Sequence, residues 1–422
     1  MKFYIYTLGC KVNTYESEVI KDMLLEENYV EGTPSDADIF IINTCTVTNT
    51  SDNKSLKTVR RCIRTNPNAI IVVMGCMVQA TPNILDGLNV SIVIGNKYKN
   101  MIPSLIEEYR KTKTPIFKVE DIRRTSFEDM SLTNFSLTRA FIKIEDGCNN
   151  FCSFCIIPFS RGGVRSRDKE SILDEVNTLV SKGHKEIVLT GIHTGHYGAD
   201  TDYKFSDLLN DLIKINGLER IRISSIEVTE LNEDFMDVLK KSNVIVDHIH
   251  IPLQSGSNEI LKLMNRKYDK EYFINKINEI RMIRPDISIT TDVIVGFPSE
   301  TEELFEETID TIKKVNFSKL HVFPFSLRHG TKAEYIPNHV DENTKKLRAH
   351  RLIELSKELE TNYMKKFVGK EMIFIPEVYK DGYLIGHTGN YLLVKYKGCE
   401  SLLNKDVTVK ITDIKYPYVI GE

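Results

Sequence analysis

Three cysteines, Cys148, Cys152 and Cys155, share the segment Asp146-Gly-Cys-Asn-Asn-Phe-Cys-Ser-Phe-Cys-Ile-Ile-Pro158. The segment directly follows the apolar run Ala140 to Ile144, so three thiolates crowd one loop at the end of a strand. Cysteine loops this compact hold zinc or an iron–sulfur cluster. A closed structural zinc site takes four ligands where this loop supplies three, which leaves one position open. In a 4Fe-4S cube, an iron with no protein ligand can be chelated by a small molecule. A zinc knuckle is the competing assignment.

Cys10, Cys45 and Cys76 each follow a β-branched or aromatic run: Phe3-Tyr-Ile-Tyr-Thr-Leu-Gly, Ile39-Phe-Ile-Ile-Asn-Thr and Ile70-Ile-Val-Val-Met-Gly. These runs predict buried strands. Helical patterns between them, Tyr15 to Glu27 and Asn53 to Arg64, make the strands parallel, with their carboxyl ends on one sheet edge. Three thiols distant in sequence then converge on a second site with one open iron. The plainer alternative is three ordinary buried cysteines. Cys62 and Cys399 are read as structural.

A chain of 422 residues exceeds one core, and usual domain sizes predict about three units. The hydrophobic fraction of 41% is that of a soluble globular protein. Eight clustered cysteines point to metal in a reducing compartment rather than to a secreted disulfide framework. No run approaches the ~20 apolar residues of a membrane span, so a cytoplasmic enzyme is expected. The net charge of −3 gives no global nucleic-acid footprint. A local one is available: Lys54, Lys57, Arg61 and Arg64 recur at helical spacing just after Cys45, with Arg60 beside them. A solvated helix face is the plain alternative.

An amino-terminal α/β unit is expected over 1–118, followed by a polar linker over 119–135. Six strand–helix units fill 136–366, with strands at Ala140–Ile144, Glu186–Thr190, Arg220–Ser224, Val246–Ile251, Ile287–Val295 and Leu320–Pro324. Repeated units of this kind predict a parallel, barrel-like sheet whose chemistry belongs to loops at the carboxyl ends of the strands. Beyond the helix Thr344 to Phe367, residues 367–422 carry short alternating runs punctuated by Gly382, Gly386, Gly389 and Gly398. These predict a small antiparallel barrel.

Cys-x3-Cys-x2-Cys is the spacing of the radical S-adenosylmethionine (radical SAM) enzymes. Together with Leu8-Gly-Cys-Lys-Val-Asn13, Asn43-Thr-Cys-Thr-Val-Thr48, Met74-Gly-Cys76, Pro252-Leu-Gln-Ser-Gly-Ser257 and Asp292-Val-Ile-Val-Gly-Phe-Pro298, the chain resembles the methylthiotransferases over its whole length. The resemblance implies a flavodoxin-like domain with an auxiliary 4Fe-4S cluster, a radical SAM partial (β/α)6 barrel with a second cluster, and a TRAM barrel that grips substrate. Gly386-His-Thr-Gly-Asn-Tyr391 resembles the TRAM core motif. Leu-Gly-Cys-Lys-Val-Asn resembles the MtaB type, which implies N6-threonylcarbamoyladenosine beside the tRNA anticodon as substrate. Thr14 and the Ser299 of Phe-Pro-Ser-Glu300 depart from the family pattern without removing a ligand.

The resemblance further implies a cluster on Cys148, Cys152 and Cys155 that reduces S-adenosylmethionine, and a 5′-deoxyadenosyl radical that abstracts hydrogen from C2 of the modified adenine. A cluster on Cys10, Cys45 and Cys76 would hold the sulfur for transfer as SCH3, with a second S-adenosylmethionine as methyl donor. No catalytic His or Glu is required. Cofactor contacts are expected among the loop residues Thr190, Gly191, Ser224, Glu227, Gln254, Ser255, Asp292, Val293 and Phe325 to Arg328, each of which packing or turn formation would also explain. Substrate contacts are expected at Lys11, Lys57, Arg61, Arg161 and Arg165, with Arg167 completing the arginine-rich stretch. A flavodoxin or ferredoxin-like electron donor and a monomeric state complete the expectation. A methylthiotransferase for another substrate, isopentenyladenosine tRNA or a ribosomal protein, and a non-enzymatic metal-binding regulator are the alternatives.

Overall fold

A computed structural model describes the chain from Met1 to Glu422 apart from Arg124. The runs Ile39–Thr44 and Ile70–Gly75 are buried at every position, as strands covered by helices on both faces must be. They form the middle of an all-parallel six-stranded sheet in the order Val30–Glu31, Lys2–Thr7, Ile39–Thr44, Ile70–Gly75, Ile92–Ile94, Ile116–Lys118. This is the flavodoxin-type strand order. Crossover helices Lys11–Glu26, Asn49–Thr65 and Ile102–Thr112 connect it. Cys10, Cys45 and Cys76 follow three adjacent strands and therefore lie along one carboxyl edge.

Six further parallel strands form the second unit. Ala140–Lys143, Glu186–Thr190 and Arg220–Ile223 pair as one triplet, and His248–His250, Ser288–Val295 and Lys319–Pro324 as another. A bridge between Ile221 and Ile245 joins the triplets into an open barrel. Side-chain caps start its helices: Asp168, Asp269 and Thr301 each accept a backbone N–H from the first turn. A short antiparallel ladder, Glu145–Asp146 with Arg165–Ser166, pins both ends of the cysteine loop.

Helix Glu342–Lys365 runs from the barrel into a closed five-stranded β-barrel at the carboxyl terminus. Four of its five strand pairings are antiparallel, as expected, and one is parallel. Leu393–Lys397 runs parallel to Tyr418–Gly421, and that pair closes the barrel. The closing strand has only four residues, too short to give an alternation pattern in sequence.

The stretch 119–135 is not a free polar tether. Ile122, Met130, Leu132 and Phe135 are buried, the last three in one core with residues of both the sheet and the barrel. Among the described residues no helix is long and apolar enough to cross a membrane.

Candidate active site

The amino-terminal thiols are set by two asparagines and a glycine. Asn13 Nδ2 donates to Leu8 O (3.0 Å), Asn43 Oδ1 (2.9 Å) and Thr44 O (3.0 Å), so one buried amide ties the Cys10 turn to the strand leading to Cys45. Asn43 returns a bond to Asn13 O at 2.9 Å. Gly9 has φ +115, and a Cβ there would lie 2.9 Å from Cys45 Cβ and 3.2 Å from its Sγ. Only glycine permits that approach. Cys76 Sγ receives Asn96 Nδ2 at 3.4 Å. Cys45 and Cys76 are buried, whereas Cys10 is exposed at the rim. Desolvation nonetheless pushes the Cys10 and Cys45 thiols up, and the neighbouring thiols add to it.

Arg161 joins this group to the barrel. Its guanidinium is fully buried, with Nε 3.2 Å from Cys76 Sγ, Nη1 2.8 Å from Glu16 Oε1, and Nη1 3.2 Å from each oxygen of Asp146. Lys99 approaches Glu16 Oε1 at 2.7 Å, and Lys143 lies 3.2 Å from the same oxygen and 2.7 Å from Asp146 Oδ2. Three buried cations and the half-buried Arg165, whose Nη2 lies 3.7 Å from Asp146 Oδ2, thus face two carboxylates, leaving cationic charge in excess near Cys76. That excess suits a thiolate-held, anionic cluster, since buried charge requires compensation.

In the barrel loop, burial pushes the thiols of Cys148 and Cys155 up to about 12, with the neighbouring cysteines of the loop adding to it. The raised thiols of Cys148 and Cys155 are poor thiolates until a cation neutralises them, the electrostatic character of a metal site. Gly147, at φ +89, shapes the loop: a Cβ there would lie 1.9 Å from Gly163 O. Arg266 Nη1 donates to Cys152 Sγ at 3.2 Å, and its Nη2 pairs with Glu227. His193 Nδ1 lies 3.7 Å from Cys148 Sγ. Both thiol trios therefore fit clusters ligated by three cysteines. All eight cysteines are free.

The expected cofactor contacts divide. Glu227 and Asp292 face the mouth, Glu227 through Arg266 and Asp292 with Oδ1 3.3 Å from His250 Nε2. Thr190 is buried with its hydroxyl on Val188 O, Gly191 packs against Glu145, and Ser224 meets Thr194 at 3.2 Å. Gln254 (φ +64) and Val293 form a backbone bridge, presenting main chain at the mouth. Ser255 differs from expectation: it is buried with its hydroxyl 3.2 Å from Thr308 Oγ1, away from the opening. Phe325 stacks edge-on to Phe297 in a small core beside Phe154 of the cysteine loop. Arg328 reaches Asn49 Oδ1 (2.6 Å), Thr46 Oγ1 (2.7 Å) and Asp52 Oδ2 (2.7 Å), so it ties the barrel to the Cys45 loop, with its Nε left without a partner among the described residues.

The arginine-rich stretch also differs from expectation. Arg161 is enclosed as described, and Arg165 bonds the carbonyls of Ile122 and Gly163. Arg167 is buried against Glu175, Tyr15 and Asp129. Arg161 and Arg167 serve domain joints, whereas Arg165 is half-buried, with Nη2 3.7 Å from Asp146 Oδ2 and Nε without a partner among the described residues. Lys57 and Arg61 are exposed, and none of the five basic residues of helix Asn49–Thr65 and its flank pairs with a carboxylate among the described residues. Arg61 lies over the Tyr6 ring at 4.8 Å. Lys11 is half-buried near Tyr391.

Sequence reasoning passed over Arg266, Glu145 and His193. The signal for Arg266 was the sequence Met264-Asn-Arg-Lys-Tyr268 just beyond the Gln254 loop, but nothing local in it points to Cys152. Burial raises the Glu145 carboxyl well above the usual range, and its Oε2 accepts His193 N at 2.8 Å.

A three-cysteine loop at the carboxyl end of the first strand of an open parallel barrel defines a radical SAM enzyme. The model for the "Radical SAM superfamily" matches residues 142–312, and that for "Uncharacterized protein family UPF0004" matches residues 2–95. The fold is similar to that of the radical S-adenosylmethionine methyltransferase TsrM from Kitasatospora setae (TM-score 0.57, 13% identity, 76% of this chain and 72% of that one). Among curated relatives, the threonylcarbamoyladenosine tRNA methylthiotransferase MtaB of Bacillus subtilis is 46% identical over 99% of this chain and 95% of its own length. The MtaB of Aquifex aeolicus is 39% identical over 94% and 97%. A tRNA-2-methylthio-N(6)-dimethylallyladenosine synthase of Clostridium botulinum is 36% identical over 100% and 96%. The chain belongs to the MtaB family of radical SAM tRNA methylthiotransferases.

Proposed function

We propose that the chain converts N6-threonylcarbamoyladenosine at position 37 of tRNA to its 2-methylthio derivative, using two S-adenosylmethionine molecules and two 4Fe-4S clusters. The observation that carries this reading is the pair of three-thiol groups on either side of one buried hub, Cys10, Cys45 and Cys76 against Cys148, Cys152 and Cys155, linked through Arg161 and Asp146. The cluster on Cys148, Cys152 and Cys155, when bound, supplies the electron that cleaves S-adenosylmethionine. Arg266 neutralises the Cys152 side of that loop and holds Glu227 at the mouth, where a carboxylate suits the cofactor's hydroxyls or ammonium. Thr190, Gly191, Ser224, Gln254, Asp292, Val293 and Phe325 line or back the same opening. Residues 1–118 serve the sulfur-donating cluster, 136–366 the radical step, and 367–422 grip tRNA as a TRAM domain, aided by Lys57 and Arg61. The reductant is a small flavodoxin or ferredoxin-like protein, and the enzyme acts as a monomer in the cytoplasm.

The threonylcarbamoyl rather than the dimethylallyl base is favoured by the names of the Bacillus subtilis and Aquifex aeolicus relatives. Nucleoside mass spectrometry of tRNA from cells with and without the enzyme tests the proposal. Loss of 2-methylthio-N6-threonylcarbamoyladenosine with accumulation of its unthiolated precursor is expected. An unchanged content of that nucleoside would refute it.

A further inference from the structure

We propose that Arg266 is a positioning residue for the radical step: it holds a fixed positive charge against the Cys152 sulfur and so raises the reduction potential of the cluster on that loop, with Glu227 acting against it. This role deepens the proposed function and rests on its assignment of a cluster to Cys148, Cys152 and Cys155.

Arg266 is fixed from several directions. Its segment docks on the cysteine loop: Ser153 N donates to Met264 O at 3.0 Å, Ser153 Oγ to Leu263 O at 2.7 Å, and Asn265 Nδ2 to Phe151 O at 3.0 Å. Asn265 takes φ +60 there, a left-handed conformation that asparagine adopts more readily than most residues. Arg266 Nη1 then reaches Cys152 Sγ at 3.2 Å, and Nη2 pairs with Glu227. On a third side, Nε donates to Tyr268 Oη at 3.1 Å, and that hydroxyl lies 2.9 Å from Pro252 O and 3.0 Å from Leu253 O, just before the Gln254 turn. The guanidinium carbon also sits 5.0 Å from the centre of the Tyr268 ring. The side chain of Arg266 is 3% exposed and that of Glu227 14%.

The bonds of Ser153 and Asn265 already fasten this segment to the loop, so a charged group is not needed as a pin. Among the described residues no other lysine or arginine bonds a thiol of the loop; Cys148 Sγ has Asn150 N at 3.5 Å and His193 Nδ1 at 3.7 Å. Reduction passes one electron from the small donor protein to the cluster, which gains one negative charge while no bond breaks. A cation at hydrogen-bond distance from a ligating sulfur stabilises that added charge, and more so where little water screens it. The Glu227 carboxylate on the same guanidinium opposes the effect. Removing the cation should therefore lower the potential, and neutralising the carboxylate should raise it. A residue that only kept the loop in shape would not give two shifts of opposite sign.

The test is a dye-mediated redox titration of the anaerobically reconstituted full-length enzyme, followed by electron paramagnetic resonance. The signal read is the one that changes when S-adenosylmethionine is added, which identifies the cluster of the cysteine loop. Arg266→Gln is expected to lower its potential by at least about tenfold in the reduction equilibrium, about 59 mV for a one-electron couple. Arg266→Lys, which keeps the charge and loses the planar fork, recovers most of that shift. Glu227→Gln moves the potential upward. Should Arg266→Gln fail to hold iron, the Glu227→Gln variant carries the test by the sign of its shift. Unchanged potentials in both Gln variants, or shifts of the same sign, would overturn the inference. A wild-type enzyme with no signal responsive to S-adenosylmethionine would overturn the cluster assignment itself, and needs no variant to be seen.

Discussion

Nε of Arg161 lies 3.2 Å from Sγ of Cys76, and the same guanidinium grips Asp146, two residues before Cys148. One buried side chain thereby spans both thiol groups. Glu16 and Asp146 are held well below the usual carboxylate range by it, against the opposing effect of burial. The hub is therefore a charge lattice in which every member depends on the others.

Replacing Arg161 with methionine should be severe. It strips two buried carboxylates of their main partner, and breaking a buried ion pair costs about 3–5 kcal/mol. Urea unfolding should register that loss, and iron bound through Cys10, Cys45 and Cys76 should fall with it. Full stability and full iron in the variant would contradict the hub's role.

Iron content separates the two thiol groups. Anaerobically reconstituted enzyme should hold about eight irons, and the triple variant of Cys10, Cys45 and Cys76 about four, while still releasing 5′-deoxyadenosine from S-adenosylmethionine. Cys62→Ser and Cys399→Ser should leave the count unchanged, since Cys62 lies in a core and Cys399 Sγ lies 2.9 Å from Ser401 Oγ in an exposed turn. Loss of cofactor cleavage in the triple variant with iron retained would merge the two sites.

The exposed face of helix Asn49–Thr65 should contribute tRNA affinity. Lys57→Glu with Arg61→Glu removes two unpaired cations, so the slope of log affinity against log salt should flatten by about 1.5 to 2. The measurement is a filter-binding titration at several ionic strengths. An unaltered slope would move the RNA surface elsewhere.

Glu300 predicts a pH signature in stability. Burial pushes its carboxyl up to about 7, although Gly296 N–H and Arg348 pull it down. With a folded pKa above the unfolded one, its contribution is fully present below about pH 4.5 and is lost as pH rises through 7. The slope is about 1.4 kcal/mol per pH unit inside that window. Glu300→Gln should remove this fall relative to wild type, as read from urea midpoints at pH 5, 6 and 7. Parallel profiles for the two proteins would exclude it.

Much of the frame was legible because it is local. Apolar runs of five or six residues ending in Gly or Thr identify parallel strands, and a cysteine one position further on inherits the strand's carboxyl edge. The placement of Cys10, Cys45 and Cys76 after adjacent strands and the helix Asn49–Thr65 needed nothing more. The arginines did not yield to such reasoning, because a guanidinium takes its role from partners far away: Glu16 is 145 positions from Arg161, and Thr46 is 282 from Arg328. Arg266 eluded notice for the same reason, lying 114 positions from Cys152. The stretch 119–135 looked polar by composition, and its four buried apolar side chains were too widely spaced to give a period.

The uneven exposure of the amino-terminal thiols gives the molecule a direction of maturation. Cys45 and Cys76 are 7% and 5% exposed, while Cys10 stands open. Of the three thiols, Cys10 is the one open to an incoming carrier of iron and sulfide, while Cys76 lies behind the Arg161 guanidinium. Uptake by the closed chain should proceed no faster than the local opening that hydrogen exchange would report at that joint.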